Sequence, residues 1–65
     1  MTPADFRSTL QRLGLSQTGA SRCLGVADRT IRSWLTGERS VPEPVAKLLR
    51  LMDAGAVTTE QVEAA

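Results

Sequence analysis

The run Leu15-Ser16-Gln17-Thr18-Gly19-Ala20-Ser21-Arg22-Cys23-Leu24-Gly25-Val26-Ala27-Asp28-Arg29-Thr30-Ile31-Arg32-Ser33-Trp34 decides how this chain folds. Ser16 stands where a hydroxyl caps the first amides of a helix over Gln17–Leu24, and Gly25 supplies a left-handed turn to end it. The buried face of that helix is expected to be Ala20, Cys23 and Leu24. A second helix, from about Asp28 to Thr36, turns Ile31, Trp34 and Leu35 inward, with Gly37 as its stop. Val26 is apolar in a turn that should otherwise be polar, so it is expected to plug the junction between the two helices. Ser21 is small enough for the helices to cross closely. Asp28, Arg29, Arg32 and Ser33 are left facing outward. Trp34 lies three residues from Ile31, and that spacing makes it core rather than a stacking surface.

Outward from this pair, the punctuation predicts four or five helices in all and no strand. Thr2 followed by Pro3 reads as a cap with proline in the first helical position, and Asp5 suits the positive helix end. Phe6, Leu10 and Leu13 then share one face, and Gly14 ends the helix. Val41-Pro42-Glu43-Pro44 is extended, because each proline disfavours helix in the residue before it. A further helix starts at Glu43 or Pro44 and carries Val45, Leu48, Leu49 and Met52 as an i, i+3, i+4, i+7 stripe. Asp53-Ala54-Gly55 breaks it, and Thr58 with Gln61 forms a capping box for a short last helix bearing Val62.

With 65 residues the chain has room for a single core, so residues 1–65 read as one domain. There is no apolar run long enough to cross a bilayer and no signal-peptide pattern, so the reading is a soluble cytoplasmic protein without membrane contact. The absence of His removes the commonest general base, and no Tyr replaces it. Cys23 is the lone thiol, which excludes an internal disulfide, while a structural zinc needs about four ligands. Cys23 therefore reads as a small buried hydrophobe, and neither an enzyme, a metal nor a cofactor is expected. The net charge of +1 is uninformative by itself, but residues 1–39 carry a balance of +3 and residues 40–65 one of −2. The N-terminal part could therefore face phosphate, while the alternative reading, a solvated surface with chance asymmetry, fits the charge alone equally well.

The pattern Leu-Ser-Gln, then Leu-Gly-Val, then Arg-Thr-Ile-Arg-Ser-Trp and Gly resembles the phage Cro and repressor-type (Xre-like) helix-turn-helix family. The likeness is strong over residues 15–37, with the motif at about 17–36, and looser in the flanking helices. It implies an all-α, four- to five-helix domain of the lambda-repressor-like type that binds double-stranded DNA in the major groove. Carried over by position, Asp28, Arg29, Arg32 and Ser33 would contact bases, Arg32 being able to reach bases or backbone. Gln17, Arg22, Arg39 and Ser40 would contact phosphates. Arg29 is the leading base reader, since a guanidinium pairs bidentately with guanine. Asp28 has three readings: a cytosine acceptor, an orienter of Arg29, or a helix cap, the last being the plainest. The chain departs from the family at Gly19, at Ser21 where Ala is usual, at Ala27 where a capping Ser or Thr is usual, and at Leu35 where Glu is common. Arg7, Arg12 and Arg50 read as solvated side chains covering their helices.

A monomer of this size reads only a few base pairs, so the resemblance also implies a homodimer on a palindrome. Leu51, Ala54, Val57 and Val62 are the candidate seam, unless Val57 and Val62 only seal the base of a monomer. The functional expectation is a transcriptional regulator, a repressor of its own operon. The competing expectation is an antitoxin-like or adaptor protein whose main role is to bind a protein partner.

Overall fold

The computed structural model describes all residues, Met1–Ala65, and contains five helices and no strand. They are α1 (Pro3–Arg12), α2 (Gln17–Leu24), α3 (Asp28–Thr36), α4 (Glu43–Asp53) and α5 (Thr59–Ala64). Their ends are set by local chemistry. The Thr2 hydroxyl accepts from the Asp5 amide while the Asp5 carboxylate accepts from the Thr2 amide, a capping box closed within four residues. Ser16 caps α2 through the Gly19 amide at 3.0 Å, and Thr58 with Gln61 repeats the capping box on α5. Gly25 sits at φ 71°, where a Cβ would be strained, and lets the Val26 amide fold back to the Ser21 carbonyl. The Ser21 hydroxyl in turn donates to the Val26 carbonyl, so serine at this position closes the turn between α2 and α3 from both sides.

The radius of gyration, 10.5 Å, is close to the value of about 10.7 Å expected for a chain of this length folded around one core. That core is Phe6, Leu10, Ala20, Cys23, Ile31, Trp34, Leu49 and Met52, so α1 to α4 each contribute two side chains. Phe6 and Trp34 meet edge to face with ring centroids 5.7 Å apart, an arrangement contributing about 1 kcal/mol beyond burial. Val26 packs against this core from the turn, as its apolar character predicts. On the α1–α4 side, Arg12 forms a two-pronged bond to Asp53, both N–O distances 2.9 Å. Arg12 is thus a link between helices rather than a freely solvated side chain. Arg50 likewise pairs with Glu43 at 3.0 Å.

The docking of the helices corrects several expectations about the core. Ala46 is fully buried on α4, whereas Val45 and Leu48 are only half-buried, so the core stripe is Ala46, Leu49 and Met52. The small side chain lets α4 settle closely, and the bulkier neighbours are rotated to the rim. Leu24 and Leu35, both expected inside, are also only half-buried. Thr9, unremarked in the sequence, is buried, its hydroxyl donating to the Asp5 carbonyl at 2.8 Å and accepting from Arg12. No helix is long and apolar enough to cross a membrane.

Candidate nucleic-acid interface

The helix pair α2–α3 and the loop after it hold four of the six side-chain cations outside ion pairs, the others being Arg7 on α1 and Lys47 on α4. Arg22, Arg29, Arg32 and Arg39 are all exposed, and none has a carboxylate within ion-pairing distance; the ion pairs of the chain are Arg12–Asp53 and Arg50–Glu43. Arg29 and Arg32 lie on α3 and Arg22 on α2, while Arg39 follows the end of α3. The first turn of α2 holds no acidic residue, so its positive end is uncompensated. Guanidinium groups so placed can donate hydrogen bonds either to phosphate oxygens or to the N7 and O6 edge of guanine.

Beside α3 lies an open polar cleft of about 370 Å³ lined by Arg29, Thr30, Ser33, Glu38 and Arg39, with no apolar side chain. Arg29, Thr30 and Ser33 fall on one helical face at i, i+1 and i+4. The loop reaches this face because Gly37 adopts φ 83° and the Arg39 amide then donates to the Ser33 carbonyl at 3.1 Å. The Thr36 hydroxyl, bonded to the Ser33 carbonyl, also accepts from the Glu38 amide. Backbone bonding therefore brings Glu38 and Arg39 to α3. A second cleft of about 290 Å³ lies between α1 and α4, but its charges are spent on one another: Arg12 on Asp53, Arg50 on Glu43, and Asp5 on its own cap. In the cleft beside α3, by contrast, Arg29, Glu38 and Arg39 have no ion-pair partner.

The remaining candidate residues sort as follows. Asp28 is exposed, but it is the first residue of α3 and does not cap it. The cap position is Ala27, with extended backbone and no side-chain bond. A capping side chain must leave from the residue before the helix, so Asp28 acts there only through its charge at the helix's positive end. Ser33, expected outward, is 8% exposed, and its hydroxyl donates to the Thr30 carbonyl at 2.7 Å. It forms the floor of the cleft rather than a projecting reader. Gln17 is half-buried and its amide donates to the Asp28 carbonyl at 3.4 Å, so it ties the start of α2 to the start of α3. Ser40 is exposed in the loop and lines a smaller recess with Trp34 and Pro3.

The expected seam divides in two. Leu51 is 49% exposed, the one large apolar side chain left in water, and Ala54 beside it is exposed as well. Val57 and Val62 are half-buried against the chain's own core, where α5 covers α2. That placement is the one expected if they seal the base of the chain's own fold. Cys23 lies under α5 with its thiol directed at the Thr59 carbonyl, and burial raises its pKa, with Glu63 adding to the shift.

Two residues of the cleft were missed by reading the sequence. Thr30 follows Arg29 and precedes Ser33 by three, so helical spacing alone places it on this face. Glu38 carries no such signal, since only the reversal at Gly37 returns it to α3. No protein-family model matches the chain, and no curated protein or solved structure matches it either. The likeness over residues 15–37 rests on those residues alone.

Proposed function

We propose that this chain is a sequence-specific double-stranded DNA-binding protein of the lambda-repressor-like type, and that it regulates transcription by occupying an operator. The observation that carries the reading is the distribution of free charge. Four of the six unpaired side-chain cations, Arg22, Arg29, Arg32 and Arg39, belong to the α2–α3 pair and its following loop, whereas elsewhere Arg12 and Arg50 are held in ion pairs and only the single cations Arg7 on α1 and Lys47 on α4 stand free. With its side chains an α-helix such as α3 is about 10–12 Å across, which suits a major groove about 12 Å wide. Lying in that groove, α3 presents Arg29 at its first turn to guanine, with Asp28 beside it and Arg32 about one turn further on. Arg22 and the uncompensated start of α2 meet the phosphate backbone. Arg39 approaches from the loop. Ser33 supports this surface from below, and Gln17 keeps the two helices in register. No cofactor or metal enters the mechanism.

A second copy docked over Leu51 and Ala54 supplies the matching half-site and doubles the number of phosphates engaged. The same exposed Leu51 favours a second reading, an antitoxin-like or adaptor protein that caps a protein partner. Formation of a nanomolar protein complex in the absence of DNA separates that reading from the first.

The test is selection of bound fragments from random duplex DNA, repeated with Arg29→Ala and across a salt series. The expected result is an inverted repeat whose affinity falls steeply as salt rises. Arg29→Ala should weaken the selected site by about 1–3 kcal/mol and relax preference at one base pair of each half-site. An equal loss on every sequence would make Arg29 a phosphate ligand. Absence of any enriched sequence would defeat the DNA reading itself.

A further inference from the structure

Glu38 is an anion in the most cationic part of the surface. It lines the same cleft as Arg29 and Arg39, yet its carboxylate forms no ion pair with either guanidinium. Its position is built: the Gly37 reversal, the Arg39 amide bonded to the Ser33 carbonyl and the Glu38 amide bonded to the Thr36 hydroxyl hold the loop against α3. A carboxylate so placed treats two parts of a duplex differently. It repels a phosphate oxygen entering the cleft, and it accepts a hydrogen bond from the exocyclic amine of cytosine or adenine. Without it, two adjacent guanidiniums would form a general phosphate site, binding any duplex alike.

We infer that Glu38 is a specificity-determining residue: it bars phosphate from the Arg29–Arg39 cleft and so reserves both guanidiniums for base edges. This inference rests on the DNA-binding reading and deepens it. Specificity here comes from a repulsive element beside two attractive ones, a difference of affinities rather than an added contact. Arg39 accordingly serves as a partner of Arg29 at the bases rather than as a ligand of the backbone.

The experiment measures fluorescence anisotropy of the full chain and of Glu38→Gln, which keeps size and polarity, against the selected duplex and a random duplex of equal length. Circular dichroism verifies the helix content of both proteins. Glu38→Gln should tighten the random duplex about three- to tenfold while changing the selected duplex less than about twofold, so discrimination shrinks. The log–log salt slope on random duplex should steepen by about one unit, as one further phosphate is neutralised. Arg39→Gln should weaken the selected duplex more than the random one. Equal shifts on both duplexes, or no shift on either, overturn the assignment of Glu38 while leaving DNA binding intact. Failure of the unsubstituted chain to prefer any duplex overturns the reading beneath it, and the inference with it.

Discussion

Gly37→Ala tests the joint on which the cleft depends. At φ 83° an added Cβ enters the left-handed region, costing about 1–2 kcal/mol, while the smaller entropy of the unfolded alanine chain returns about 0.5 kcal/mol. That part is shared by Gly14, Gly25 and Gly55, which also have positive φ but open space around the new methyl. At Gly37 alone the Cβ would lie 3.1 Å from Cγ of Pro3, in the first position of α1. Relieving that contact moves either the loop or the start of α1 by a few tenths of an ångström, adding about 1 kcal/mol of overpacking. The total, about 2 kcal/mol, corresponds to a fall in Tm of about 8–16 °C for a domain this small. Urea and thermal unfolding followed by circular dichroism measure it, with Gly25→Ala as the open-space control. Pro3→Ala completes a double-mutant cycle and should show a coupling of about 1 kcal/mol with Gly37→Ala. The reasoning is refuted if Gly37→Ala costs no more than Gly25→Ala, or if the cycle shows no coupling.

Two further predictions concern the core and the α1–α4 link. Ile31, fully buried between the helices, should lose about 2–5 kcal/mol on substitution by Ala, enough to leave so small a domain largely unfolded, and about 1 kcal/mol on substitution by Val. A folded Ile31→Ala chain of undiminished urea midpoint would mean that Ile31 is not a core residue. Asp53 has its pKa lowered by the hydrogen bond from Arg12, so its folded value lies below its unfolded one. Its contribution is therefore fully present above about pH 4 and lost as pH falls through the folded pKa. Asp53→Asn should lower the urea midpoint at pH 7 and flatten its decline in acid. Asp5, lowered by its bonds to Thr2, titrates in both chains and cancels in the comparison. Parallel acid curves for the two chains would show that the pair adds nothing.

Much of the fold is legible along the chain because its causes are short-ranged. The cap bonds of Thr2, Ser16 and Thr58 span three residues, and the turn bond from Val26 to Ser21 spans five. Residue type and spacing therefore suffice to place the ends of α1 to α4 and the start of α5 to within a residue or so. The same holds for the outward position of Arg29 and Arg32 and the inward position of Ile31 and Trp34, which follow from helical period alone.

What the sequence could not reveal is how far each helix rotates as it docks. Successive side chains are about 100° apart around a helix, so a turn of less than half that angle exchanges one residue for its neighbour at the core. Such a rotation puts Ala46 inside in place of Val45 and lowers Ser33 to the floor of the cleft. Pairings across the chain escape local reading for a different reason. Arg12 finds Asp53 forty-one residues away, and both residues look like ordinary surface charges until α1 and α4 are side by side. Glu38 joins Arg29 only because a left-handed glycine folds the loop back. The sequence by itself determined the helices and the charges they carry; tertiary packing decided which of those charges remain free, because pairing depends on distances that close only when the helices meet.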